Sequence, residues 1–145
     1  MPLSRHFIDR SIALRAPAGK GDIPGEIVAI THDKYLIAPG NDAAQKKLAD
    51  LLAASPQDMT HDDSDLPSKL ALPRLGEIRI ATLILTGEAD IADVHANAGA
   101  IEAGISRSRR LVISGVGHLM YIEKPAEFTR VVCEFIDGNN SGSNQ

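Results

Sequence analysis

Apolar positions follow two regimes along this chain. Beyond residue 78 they come in unbroken runs, Ile80-Ala-Thr-Leu-Ile-Leu-Thr86 and Arg110-Leu-Val-Ile-Ser114, separated by a stretch with helical spacing. A run of that length without alternation predicts a strand covered on both faces, as in a parallel sheet. Between the runs, residues 91–104 predict a helix with Val94, Ala98 and Ile101 on one face and Asp93 as its cap, weakened somewhat by Gly99. Pro125 opens a final helix, where its missing N–H costs nothing. Phe128, Val131, Val132, Phe135 and Ile136 form its apolar face, Gly138 is placed to stop it, and residues 138–145 read as a frayed tail. Residues 78–137 therefore predict β-α-β-α, a partial parallel sheet with flanking helices in the α/β class.

The first regime is weaker. Asn41 or Asp42 can cap a helix reaching about Ala54, with Ala44, Leu48, Leu51 and Leu52 on one face. Ser55-Pro56 ends it, because proline disfavours helical geometry in the residue before it. Residues 11–15 fit a short helix or a strand, residues 16–25 are rich in glycine and proline and read as loop, and residues 26–30 fit a strand or the start of a helix. Residues 61–67, acidic and polar, are the best linker in the chain. The expected division is 1–72, a cap-like or remnant helical region; 73–137, the βαβα part; and 138–145, the tail.

Composition narrows the classes. The chain has 145 residues, enough for a real core, and 43% are hydrophobic, which argues against global disorder. Only 3% are aromatic and none is Trp, so the core must be aliphatic. The net charge of −4 is shared equally between residues 1–72 and 73–145, leaving no basic arm, so phosphate-backbone binding to nucleic acid is disfavoured. The single cysteine, Cys133, allows no internal disulfide and is expected as a small buried hydrophobe. No run approaches the roughly 20 apolar residues of a membrane span. The N-terminus lacks the apolar core of a signal peptide. A cytoplasmic protein without membrane partners is the expectation.

Candidate chemistry sits where such a sheet would place it. Asp90 and His118 fall just past the ends of the two apolar runs, and in open α/β sheets functional groups gather at the carboxyl ends of the strands. The surrounding blocks are Thr82-Leu-Ile-Leu-Thr-Gly87-Glu-Ala-Asp90, then Ile113-Ser-Gly-Val-Gly117-His118, then Glu123-Lys-Pro125 with Phe128 and Phe135. In that order they resemble the C-terminal portion of the α/β-hydrolase fold superfamily, with its strand–G-x-x-D, strand–G-x-G-H and E-x-P-x-x-F blocks. Ala81 stands where that family commonly has proline. The resemblance covers a little under half of the chain. It implies that His118 is the general base and that Asp90 fixes its tautomer and orientation. Plainer uses exist for each residue: Asp90 as a turn or cap residue, Asp93 as the alternative acid or a cap, Glu88 as a solvated side chain, Glu123 at the helix entrance. His61 with Asp62, Asp63 and Asp65 lies in the acidic linker, where neighbouring residues seldom converge on one metal ion. His6, His32 and His95 have no partner at motif spacing.

The nucleophile is missing. In this superfamily the chain order is nucleophile, acid, histidine. Ser4, Ser11, Ser55, Ser64 and Ser68 precede Asp90, and none has the flanking glycines of a nucleophile elbow. No His-Gly oxyanion loop precedes them. Two readings follow. The first is a hydrolase acting on a small ester, amide or carbon–carbon bond, present here as a truncated product or one part of a split enzyme. The second is a catalytically inactive hydrolase-like module for binding or assembly. Two βα units alone leave a sheet edge open, which predicts a homo-oligomer or pairing with a complementary chain. No cofactor is implied, because acyl transfer through a triad needs none.

Overall fold

The computed structural model describes residues 3–56 and 71–140. The element order is α1 (Arg5–Arg15), α2 (Ile23–Thr31), α3 (Asp42–Ala54), β1 (Thr82–Gly87), α4 (Ala92–Gly104), β2 (Ser108–Ile113), α5 (Met120–Glu123) and α6 (Pro125–Asn140), with 3-10 turns at Ala18–Lys20 and Leu72–Glu77. The fold is α/β: a two-stranded parallel sheet with flanking helices. β1 and β2 pair in register from Thr82 with Ser108 to Gly87 with Ile113.

The β-α-β-α reading of the C-terminal part is borne out, with shifted ends. β1 starts two residues later than expected, leaving Ile80 outside it and 74% exposed. β2 starts earlier and stops at Ile113, with Ser114 in the turn. Double-sided burial holds only at the carboxyl end of β1: Thr86 and Gly87 are buried, while residues 82–85 are half-buried. The reason is the narrow sheet. α4 covers the face carrying Arg110, whose Nη1 donates to the His95 carbonyl at 3.2 Å and whose Nε meets Glu102 at 3.2 Å. On the other face Leu85 and Phe128 pack on a core of Ile113, Val116 and Met120.

The helical half differs more from expectation. Residues 16–25 are not simply loop. Asp22 accepts the Gly25 N–H at 2.9 Å and caps α2, so Pro24 sits in a first turn, where proline breaks nothing. Residues 26–30 are helix interior, and residues 11–15 finish an eleven-residue helix capped by Ser4. That helix has no buried residue and so no clean apolar stripe to read. α3 matches its expected bounds, with the Asn41 side chain capping Ala44 at 3.2 Å. Leu51, expected on its inner face, is exposed.

Three further expectations are corrected. Cys133 is exposed, because α6 packs through Phe128 and turns position 133 outward. Ile136, expected on the inner face, is half exposed for the same reason. α6 runs through Gly138 to Asn140, since glycine weakens a helix without obliging it to stop. The linker at 61–67, with His61 and its aspartates, and the tail beyond residue 140 lie outside the described residues. Among the described residues no helix is long and apolar enough to cross a membrane.

A second core joins the helical half to the rest. Ile37, Ala44 and Leu48 bury themselves with Ile122 of α5, and Ile30, Leu52 and Leu119 pack around them. The backbone approaches closely at two glycines. A Cβ on Gly87 would stand 2.0 Å from the Gly117 carbonyl oxygen, and one on Gly117 would stand 2.7 Å from the carbonyl oxygens of both Tyr35 and Leu36. Neither obstacle is a side chain that can swing away. Gly87→Ala and Gly117→Ala are therefore each expected to lower unfolding stability by about 3 kcal/mol or more in urea titration. Gly99→Ala, in mid-helix with its nearest neighbour at 3.7 Å, is expected to raise it by roughly 0.5–1 kcal/mol.

Candidate active site

Asp90 ends the turn that follows β1. Its N–H donates to the Gly87 carbonyl at 3.2 Å, and the Ala89 N–H donates to the Val116 carbonyl at 2.9 Å, tying this turn to the one after β2. The turn after β2 is built for a sharp reversal. Gly115 has φ +68°, a conformation costly for other residues. Glu88 accepts the Ser114 hydroxyl at 2.5 Å and the Gly115 N–H at 2.8 Å, and Lys124 Nζ donates to the Ser114 carbonyl at 2.8 Å. Glu88 is thus exposed yet engaged. The bond from Ser114, then that from Gly115, holds its carboxyl below the usual carboxylate range.

These two turns bring Asp90 and His118 together. His118 Nδ1 lies 2.7 Å from Asp90 Oδ2, and the Ile91 N–H donates to Asp90 Oδ1 at 2.8 Å. Asp90 is the buried partner, with its side chain 2% exposed, while the imidazole is 51% exposed. A carboxylate can only accept, so Nδ1 carries the proton and the neutral ring keeps its free lone pair on Nε2. The Asp90 hydrogen bond holds the imidazole above its ordinary value of 6.5, against partial burial and the charge of Arg10. This geometry can orient an imidazole as a base, and it leaves the ring half exposed.

The helical half supplies the frame. The His118 N–H donates to the Tyr35 carbonyl at 2.7 Å, and the Leu119 N–H to the Leu36 carbonyl at 3.0 Å. Asp33 holds this segment in place: Arg10 grips its carboxylate through two bonds, at 2.8 and 2.7 Å, and both side chains are mostly buried. The Tyr35 ring lies 5.5 Å from the Arg10 guanidinium and 5.0 Å from Lys34 Nζ. Its hydroxyl meets His6 Nε2 at 3.1 Å.

The other expected residues have other tasks. Asp93 does not cap α4. Ile91 occupies the cap position, and Asp93 instead accepts the Ser4 N–H at 2.6 Å and the Ser4 hydroxyl at 2.7 Å. Those bonds to Ser4 lower its pKa and pin the start of α1 to the start of α4. Glu123 does more than serve a helix entrance: it accepts bonds from Gly117, Ala38 and Asn41. His32 Nδ1 turns back to the Val28 carbonyl at 3.0 Å. Sequence reasoning missed the segment at residues 33–41. The signal was slight, an aspartate and a tyrosine ahead of a helix cap, and Ala38 and Asn41 find Glu123 more than eighty positions away.

The fold is similar to that of solved structures. MenH from S. aureus is 23% identical with a TM-score of 0.67, and the match covers 97% of this chain and 56% of that one. An enzyme from a Medee basin deep-sea metagenome library, described as an α/β-hydrolase, is 20% identical with a TM-score of 0.65, covering 92% of this chain and 52% of that one. The chain has the α/β-hydrolase fold, in its C-terminal portion. A thermophilic esterase from Thermogutta terrifontis is similar at 15% identity, with a TM-score of 0.65, and 94% of this chain against 52% of that one. This chain therefore spans about half the length of the α/β-hydrolases it matches, and a match over 97% of it takes in the helical half as well. No family model matches the chain, and a search of curated proteins gives no significant match.

Linkage gives the pair a pH signature. A histidine whose folded pKa is raised stabilises the fold fully below its unfolded value and loses that contribution as pH rises through the folded value. The stability advantage of the wild type over His118→Gln is therefore expected to be largest below pH 6.5 and to shrink as pH rises through the higher folded value, in urea melts run across pH. Asp90→Asn is expected to bring the His118 titration, read by NMR, down toward the ordinary value.

Proposed function

We propose that this protein is a hydrolase of small ester, amide or carbon–carbon bond substrates, in which Asp90 and His118 are the acid and base of a nucleophile–Asp–His triad. The observation that carries the reading is the 2.7 Å Nδ1–Oδ2 bond to buried Asp90 in a half-exposed imidazole. Nε2 takes the proton of an attacking hydroxyl, thiol or water while a bond forms to the substrate carbonyl carbon. The same proton then passes to the leaving group as the carbon–leaving-group bond breaks. Buried Asp90 stabilises the imidazolium between those two events.

The nucleophile, in this proposal, comes on polypeptide that extends the sheet at β1. Thr82 and Glu88 donate their N–H groups toward β2, at 2.9 Å each, so the backbone of Leu83, Leu85 and Gly87 between them faces the opposite edge. Among the described residues nothing pairs with that edge. β1 carries no charge, whereas β2 carries Arg109 and Arg110, the kind of residue that suits a terminal edge. β1 is therefore the strand that accepts a neighbour: a second copy can cover this edge, but only a complementary chain can also bring the nucleophile that this sequence lacks. Self-association in gel filtration with light scattering is expected to rise with concentration. A monodisperse monomer at high concentration counts against a second copy.

p-Nitrophenyl acetate is the substrate of choice for the chemistry, because its leaving group needs no proton. In this chain alone the attacking group is water, and turnover above the buffer rate is expected, rising with pH through the His118 titration, absent in His118→Ala and reduced roughly 100-fold in Asp90→Asn. A folded wild type no faster than His118→Ala would leave the binding or assembly module as the reading, which the missing Gly-x-Ser-x-Gly favours.

A further inference from the structure

Glu123 closes α5, and each of its carboxylate oxygens is used. Oε1 accepts the Gly117 N–H at 2.6 Å. Oε2 accepts the Ala38 N–H at 3.0 Å and the Asn41 side-chain amide at 3.3 Å. Gly117 immediately precedes His118, so the first of these bonds fixes the Val116–Gly117 peptide, one peptide ahead of the residue that carries the imidazole. A glycine backbone is the least restrained of any residue, and here no side chain can restrain it, because the carbonyls of Tyr35 and Leu36 occupy the space a Cβ would take. The torsions that aim His118 are thus set by hydrogen bonds on two sides: Glu123 below the loop, and the Tyr35 and Leu36 carbonyls above it.

The chemistry of the acceptor matters. A carboxylate offers two oxygens that only accept, and both here meet N–H donors. A glutamine of the same shape keeps one acceptor and turns an NH2 group toward a donor at the other end. Short bonds to a charged acceptor are also about twice as strong as neutral ones.

We propose that Glu123 is a positioning residue for His118: its carboxylate clamps the Gly117 peptide to the turn at residues 38–41 and thereby sets where the imidazole stands against Asp90. This rests on the reading of Asp90 and His118 as an acid–base pair. Glu123 touches neither ring nor substrate and acts only through the backbone. It also ties the base to the helical half, so that displacement of residues 38–41 moves His118 and not merely the surface above it.

The test is the NMR titration of the His118 imidazole in the intact chain, with Glu123→Ala, Glu123→Gln and Leu48→Ala compared at pH values where circular dichroism shows each folded. The two Glu123 variants are expected to move the His118 titration down toward the ordinary imidazole value, as the bond to Asp90 loosens. They are also expected to lower kcat for p-nitrophenyl acetate by roughly 10- to 100-fold with KM little changed, the effect of a base displaced on the ångström scale. Leu48→Ala opens the shared core without touching the loop and is expected to leave the titration where it is. If Glu123→Ala does not fold, Glu123→Gln, which conserves volume and one bond, carries the test. An unmoved titration in the Glu123 variants, or an equal shift in Leu48→Ala, overturns the proposal. A wild-type His118 that titrates at its ordinary value overturns instead the acid–base reading on which it rests.

Discussion

Three stretches of backbone meet at Gly117 with no side chain between them, and the rest of the site hangs on that contact. Gly87 ends β1 directly beneath it, and the carbonyls of Tyr35 and Leu36 lie directly above. Two parallel strands and a turn from far earlier in the chain are thereby brought within hydrogen-bond reach. The Ala89 N–H finds the Val116 carbonyl and the His118 N–H finds the Tyr35 carbonyl because nothing holds the chains apart. The Asp90–His118 bond is a consequence of this packing. The two residues sit on separate turns, and only the close approach of those turns brings a carboxylate and an imidazole to 2.7 Å.

Around that contact the acidic residues divide by task. Glu88 stiffens the turn after β2, Asp93 anchors the start of α1, Asp33 takes both donors of Arg10, and Glu123 spans the Gly117 peptide and residues 38–41. Each spends its charge on donors of the fold, where a carboxylate bond is stronger than a neutral one. Asp90 faces the His118 imidazole. It is also the buried one of the pair, which keeps water from competing for the bond while the base remains accessible. A fixed, desolvated acid beside a half-exposed base suits proton transfer.

Where the sequence was legible, the reason is local. Leu83, Ile84 and Leu85 cannot be solvated together, so they declare a strand; Asn41 ahead of an amphipathic stretch declares a helix start; Pro125 marks the opening of α6. Asp90 and His118 were placed by motif order and by the rule that functional groups lie past the ends of strands. Where it misled, the cause is tertiary. Pro24 reads as a breaker until Asp22 is seen capping the turn around it. Leu51 and Ile136 read as core, yet each is about half exposed. Glu88 read as solvated and Glu123 as a helix-entrance residue because several of their donors are backbone amides, which carry no residue identity for a sequence to reveal.

The sequence by itself determined the α/β class and the parallel pair of strands, and it set Asp90 and His118 just past the ends of those strands. Periodicity and short motifs are properties of neighbouring residues, and they survive without knowledge of the fold. Tertiary structure alone decided that Asp90 and His118 touch, which imidazole nitrogen is free, and that residues 33–41 form the frame around the base. Those facts depend on contacts across more than eighty residues, such as Ala38 with Glu123. They also depend on two glycines whose meaning is the side chain they lack. A missing Cβ permits close approach, but only the fold says what approaches.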